Sequence, residues 1–119
     1  MSKTIKPKES VLEKYLVKRC KEAGILCYKF SSPAQTGVPD RILIRDGQVL
    51  FLELKREGEV PTKLQMHHLK SILNTGVSAA WTDSKAGVDL VTQKTLLGYA
   101  SQEVTVKPDD LKIITKWND

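Results

Sequence analysis

Cysteine is scarce in this chain, with only Cys20 and Cys27 among 119 residues. The first falls on the apolar stripe of an expected helix and the second in an expected core strand. Both therefore read as reduced packing residues rather than a disulfide or a metal pair. Long apolar runs are also lacking. No stretch approaches the roughly 20 residues of a membrane span, and the N-terminus has no apolar core of the kind a signal peptide carries. Repeats, low-complexity tracts and a convincing linker are missing too. These absences argue against a membrane helix and a disulfide-stapled scaffold, and set the expectation of an intracellular, cytoplasmic protein with no membrane partner.

What is present fits one basic domain. A length of 119 residues at 40% hydrophobic content suffices for a single core and is short for two. The 19 Lys and Arg exceed the 14 Asp and Glu to give a net charge of +5 and a pI near 9.3. That balance favours a polyanionic partner such as nucleic acid, although a merely soluble basic protein has the same charge.

Periodicity orders the elements. Leu12, Tyr15, Leu16, Cys20 and Ala23 recur at helical spacing over residues 8–23, and Gly24 supplies the stop. Lys14, Lys18 and Lys21 fall on the outer face of that helix. Residues 25–30 are rich in strand formers, residues 31–38 have loop chemistry, and a hairpin is expected over residues 40–55. A second helix follows from Thr62 to Asn74, closing at Gly76, then a short apolar strand over residues 77–82. Residues 1–7, with Lys3 and Lys6, read as a mobile basic arm, residues 8–83 as the core and residues 84–119 as a C-terminal extension. In that extension a helix is expected to about residue 97, a strand at 103–107 and a helical turn or two at 108–117. Trp81 and Trp117 read as packing residues.

The hairpin holds the chemistry. Asp46-Gly47 between two apolar runs is the preferred sequence of a two-residue type I′ turn. Arg45 then faces Gln48, and every opposed pair has numbers summing to 93. Ile42 faces Phe51, and Asp40 faces Glu53, with β-carbons expected roughly 4.5–5.5 Å apart. A period of two adds Lys55 to the same face. Opposed like charges destabilise a ladder, so a cation is expected between the acids. Two carboxylates suit Mg²⁺ or Mn²⁺, which keep several waters, whereas zinc wants His or Cys as well. The competing reading is a solvated hairpin end carrying a chance Glu-Leu-Lys.

Pro39-Asp40 followed by Glu53-Leu54-Lys55 resembles the PD-(D/E)XK motif of restriction-endonuclease-like nucleases. More closely, Thr36-Gly37-Val38-Pro39-Asp40-Arg41, the hairpin, Phe51-Leu52-Glu53-Leu54-Lys55 and Gln65 are similar to the virus-type replication and repair nuclease (VRR-NUC) branch, over residues 9–83. The resemblance implies an α/β fold with an αβββαβ core, a mixed central sheet flanked by helices. It implies a metal-dependent endonuclease acting on DNA, with Mg²⁺ or Mn²⁺ held by Asp40, Glu53, the Leu54 carbonyl and Glu13, and Lys55 at the attacking water. Junction, flap or other branched DNA, phage or bacterial replication and a homodimer are further expectations from likeness alone. A nickase or restriction-like enzyme and a non-catalytic DNA-binding or assembly module are the alternatives.

Glu13 is in line with Val17 and Cys20 on the first helix and suits the family's first-helix glutamate better than Glu9 does. Ser10-Val11-Leu12-Glu13 equally fits a capping box. Gln65 carries the same ambiguity, because Thr62-Lys63-Leu64-Gln65 is a capping-box pattern while the resemblance implies an active-site role. Arg41, Arg45, Arg56 and Lys63 are expected around the site as phosphate contacts, with Lys29 and Ser32 on the strand and loop that enter it. His67 and His68, adjacent on a helix, point apart and cannot share a ligand sphere.

Overall fold

The computed structural model describes residues 7–93. Of the expectations above, residues 1–6 of the basic arm, the strand at 103–107, the helical turns at 108–117 and Trp117 lie outside the described residues. Within them the chain runs α1 (Pro7–Ala23), β1 (Leu26–Lys29), β2 (Arg41–Arg45), β3 (Gln48–Leu54), α2 (Lys63–Asn74), β4 (Ser78–Thr82) and α3 (Lys85–Gln93). The four strands form one sheet in the order β1-β2-β3-β4. The first three are antiparallel neighbours, and β4 runs parallel to β3. A parallel neighbour needs a long crossover, which α2 provides.

The hairpin turn decides the register. Asp46 (φ 51°) and Gly47 (φ 78°) both occupy the left-handed region that a type I′ turn requires. Asp tolerates that conformation better than most residues, and Gly carries no Cβ penalty. Five pairs follow the expected sum, from Arg45 with Gln48 to Arg41 with Leu52.

Alternation then sorts the side chains onto two faces. Leu43, Leu50, Leu52 and Leu54 are fully buried against Leu12, Leu16 and Cys20 of α1, with Val88 and Val91 of α3 completing that layer. Each buried leucine contributes about 1.5–3 kcal/mol relative to exposure. The opposite face carries Phe51, Ala79 and Trp81, covered by Leu69 and the half-buried Met66, Ile72 and Leu73 of α2. Tyr15 donates to Asp89 at 2.6 Å and Arg19 pairs with the same carboxylate at 3.3 Å, tying α1 to α3. The Asp89 bond pushes the Tyr15 hydroxyl above its usual pKa, because ionising the phenol would break it.

Gly37 shows how the long loop is seated. Its φ is 85°, and a Cβ there would lie 2.8 Å from the Leu64 side chain and 3.3 Å from the His68 ring. The backbone between β1 and β2 thus rests directly on the first turns of α2, a closeness that only glycine permits. That contact delivers Pro39 and Asp40 to the end of the sheet.

Candidate active site

Glu53 and Lys55 sit at the C-terminal end of β3 on the α2 face, and α2 brings Gln65 over them. Thr62 caps α2, accepting a hydrogen bond from the Gln65 N–H at 3.1 Å, while Gln65 Oε1 accepts from the Thr62 N–H at 2.8 Å. The capping box is therefore formed. The same Oε1 also accepts from Lys55 Nζ at 3.3 Å, and Gln65 Nε2 donates to Glu53 Oε2 at 3.1 Å. Cap and site role coexist in one side chain. Gln65 links the carboxylate to the ammonium and holds both in fixed orientation.

Asp40 reaches the same place by a different route from the one its register predicts. The ladder stops at Arg41, one pair short, and Asp40 lies in a bend just before β2. Its carbonyl accepts the Phe30 N–H at 2.7 Å, closing the end of β1. Its carboxylate accepts the Leu54 N–H at 3.2 Å. The N–H and C=O of one strand residue point to the same side, so the Leu54 carbonyl is turned toward Asp40 as well. Burial pushes the Asp40 carboxyl above its usual pKa. The Leu54 N–H opposes that, Glu13 adds to it, and Lys55 and Arg41 offset it. Asp40 thus stands at the sheet end within electrostatic reach of both faces.

Glu13 and Arg41 belong to the other face. Arg41 is only 8% exposed, and alternation turns it away from Glu53 toward α1. There it pairs with Glu13 at 3.9 Å and reaches Cys27 Sγ at 4.0 Å. α1 begins at Pro7, so Ser10 is already inside the helix, and the capping box considered for Ser10 and Glu13 does not form. Arg45 departs furthest from expectation. It flanks the turn at the opposite end of the hairpin, donating to the Ala23 carbonyl at 3.1 Å and pairing with Asp46 at 3.4 Å. Four strand residues separate it from Asp40, roughly 16 Å, so it is no part of this cluster. Arg56 follows Lys55 at the surface and pairs with Glu59 at 3.5 Å. Lys63 opens α2 exposed, Lys29 is exposed at the end of β1, and Ser32 is half-buried in the loop, its carbonyl accepting the Gln35 N–H at 3.1 Å.

The donors available to a cation are oxygens: the carboxylates of Asp40 and Glu53 and the Leu54 carbonyl, while Glu13, the further ligand expected from the resemblance, pairs with Arg41 at 3.9 Å. Among the described residues, no three acidic, histidine or cysteine side chains converge closely enough to enclose a metal between them. Two hard carboxylates without histidine or cysteine fit Mg²⁺ or Mn²⁺ rather than zinc. A half-buried Asp40 carboxyl held in the vicinity of Glu13 is a place where added positive charge is stabilising.

Comparison with known proteins identifies the family. No protein-family model matches the chain. The chain is 35% identical over 79 residues to "Putative nuclease p44" of Acyrthosiphon pisum secondary endosymbiont phage 1, an overlap spanning 66% of this chain and 85% of that protein. A solved structure described as a VRR_NUC domain superposes with a TM-score of 0.66 at 27% identity, covering 71% of this chain and 92% of the other. The chain belongs to the VRR-NUC family. The mixed sheet flanked by helices is the restriction-endonuclease-like architecture expected from the sequence, and the fold is that of a nuclease.

Two features of this VRR-NUC domain escaped the sequence reading. Asp83, 5% exposed at the end of β4, accepts the Gly58 N–H at 2.8 Å and so anchors the turn that follows Lys55. Only the parallel pairing of β3 with β4, continued by Lys55 N–H to the Thr82 carbonyl at 3.0 Å, reveals that proximity. The second is the thiol pair. Cys20 and Cys27 are free and adjacent. The hydrogen bond from Cys20 and the Arg41 guanidinium bring the Cys27 thiol down to about 7, while the same contact and burial push Cys20 up. Iodoacetamide should therefore modify Cys27 alone, its rate rising through pH 7 rather than near the usual value of about 8.5. Mass spectrometry of the alkylated protein across pH checks this, and preferential labelling of Cys20 would contradict it.

Proposed function

We propose that this VRR-NUC domain is a metal-dependent endonuclease that hydrolyses DNA phosphodiester bonds, with branched DNA such as a junction or flap as its substrate. The observation that carries the reading is the Glu53–Gln65–Lys55 chain of hydrogen bonds beside Asp40. A carboxylate pair and an oriented ammonium are gathered at one end of the sheet, in a family of nucleases. The expected resident ion, Mg²⁺ or Mn²⁺, would be held by Asp40, Glu53 and the Leu54 carbonyl; when bound it supplies charge neutralisation at a phosphoryl oxygen and acidifies a water.

The chain's own residues supply the rest. Gln65 fixes the Lys55 ammonium through Oε1, so that its remaining protons can orient the attacking water and offset the negative charge that develops on the phosphate. The same amide, donating to Glu53 Oε2, fixes that buried carboxylate beside the ammonium. Glu13 acts through Arg41, whose guanidinium partly offsets the charge of Asp40. The N-terminus of α2, with Lys63 exposed in its first turn, favours a phosphate beside Gln65.

A homodimer that places two such sites on symmetric strands would suit a branched substrate, and a phage relative suggests a host cytoplasm as the place of action. The test incubates the pure protein with single-stranded, duplex, flap and four-way-junction DNA, with Mn²⁺ or with chelator. Cleavage of a branched substrate with Mn²⁺ and none with chelator is the expected result. Metal-independent binding with no cleavage of any substrate would favour a non-catalytic module, and cutting of plain duplex in one strand a nickase.

A further inference from the structure

On the face of the sheet away from Gln65, an open groove runs between α1 and β1, lined by Glu13, Lys14, Lys18, Lys21, Lys29 and Arg41. Its charge is one-sided. Arg41 and Glu13 engage each other at 3.9 Å, which leaves the four lysines to set its sign. All four are exposed. Lys18 pairs with Glu22 at 3.6 Å on the same exposed helix, a surface pair that a competing anion displaces at little cost.

The spacing is ordered as well. Lys14, Lys18 and Lys21 follow one another at i, i+4 and i+7, so they line one side of α1 over about 10 Å, the axial rise of roughly three nucleotides of one DNA strand. Lys29 faces them from β1, and its ladder partner is Arg41, the residue after Asp40. One end of the groove is therefore lined by Arg41, the sequence neighbour of Asp40, and the other leads away along the helix. Lysine is depleted from protein–protein interfaces, and it is the residue that neutralises phosphates in nucleic-acid binding.

We propose that the α1–β1 groove is the track for the phosphate backbone of the DNA strand flanking the site, with Lys14, Lys18 and Lys21 as successive phosphate contacts and Lys29 on the facing wall. This rests on the nuclease reading for the identity of the polyanion, but it concerns affinity rather than chemistry. The lysines contribute long-range, sequence-independent attraction, and they fix which way the strand leaves the carboxylates.

The test measures binding of a labelled DNA duplex to the full chain in chelator, so that no cleavage intrudes, while salt is raised from 50 to 200 mM. Replacing the three helix lysines together, K14Q/K18Q/K21Q, is expected to lower the slope of log affinity against log salt by about 2.7, at about 0.9 per phosphate contact. Across that salt range the wild type then loses roughly 40-fold more affinity than the variant. K14R/K18R/K21R is expected to keep the wild-type slope. A glutamine variant with the wild-type slope overturns the track, and so does an arginine variant that loses slope equally, because the effect would not follow charge. If the wild type cleaves nothing with Mn²⁺ while the slope difference persists, the nuclease reading fails and the track stands.

Discussion

Asp40→Asn and Lys55→Ala will each lower metal-dependent cleavage by roughly 10²–10³-fold or more, the scale of losing one preorganised charge-stabilising group in an active site. Both substitutions leave the buried leucine layer untouched, so the variants should melt cooperatively and keep the wild-type circular dichroism spectrum. For Asp40 a second readout separates catalysis from folding. Burial raises its folded pKa above the unfolded value. Its contribution to stability is therefore most favourable below the ordinary Asp pKa and is lost as pH rises through the raised one. At neutral pH the ionised carboxylate destabilises the metal-free fold. Asn keeps an oxygen for the Leu54 N–H without that charge, so the variant should melt no lower than wild type in chelator. Mn²⁺ should raise the melting temperature of the wild type and not of Asp40→Asn. Cleavage by both purified variants at the wild-type rate would remove the site from Asp40 and Lys55 altogether.

The largest loss of stability is expected at Leu54→Ala. Leu54 stands between Glu53 and Lys55, and alternation buries its side chain completely in the α1 layer while theirs face α2. Removing it leaves a cavity under the strand that carries the site, at a cost of about 2–5 kcal/mol. For a domain of this size that corresponds to a fall in melting temperature of roughly 10–20 °C or more, a large part of a total stability of about 5–15 kcal/mol. Urea denaturation measures it. A loss below about 1 kcal/mol would place Leu54 outside the tightly packed core. Because Asp40 is held by the Leu54 N–H, this variant should also lose activity below its melting temperature, which a substitution at the exposed Val60 would not do.

Much of this arrangement is legible in the chain because it depends on local rules. Asp46-Gly47 demands two positive φ values, and the type I′ turn that satisfies them sets the sum-of-93 register over all five pairs. Thr62 and Gln65 announce a capping box, and the box forms. The motif Pro39-Asp40 with Glu53-Leu54-Lys55 is legible because the hairpin between the two segments returns the chain to the same end of the sheet.

What the register misses is where pairing stops. The β2–β3 pairing ends at Arg41, while the Asp40 carbonyl continues the β1–β2 register by accepting the Phe30 N–H and its carboxylate accepts the Leu54 N–H, two contacts that depend on β1 and β3 together. Arg45 looks close to the site in sequence and is far from it in space, because an extended strand carries successive residues about 3.3 Å further away. The pairing of Arg41 with Glu13 and Cys27 was equally hidden. Alternation indicates that Arg41 faces away from Glu53, but not which helix covers that face.

By itself the sequence determined the turn, the register, the cap of α2 and the identity of the acid, amide and ammonium groups, since backbone sterics and side-chain periodicity act over a few residues. The tertiary structure alone decided that α1 and α3 share the leucine face, that Gln65 of α2 closes over Glu53 and Lys55, and that four lysines flank a groove that also takes in Arg41. Those relations come from burying two apolar faces of one mixed sheet at once, and no local stretch of chain encodes which helix takes which face.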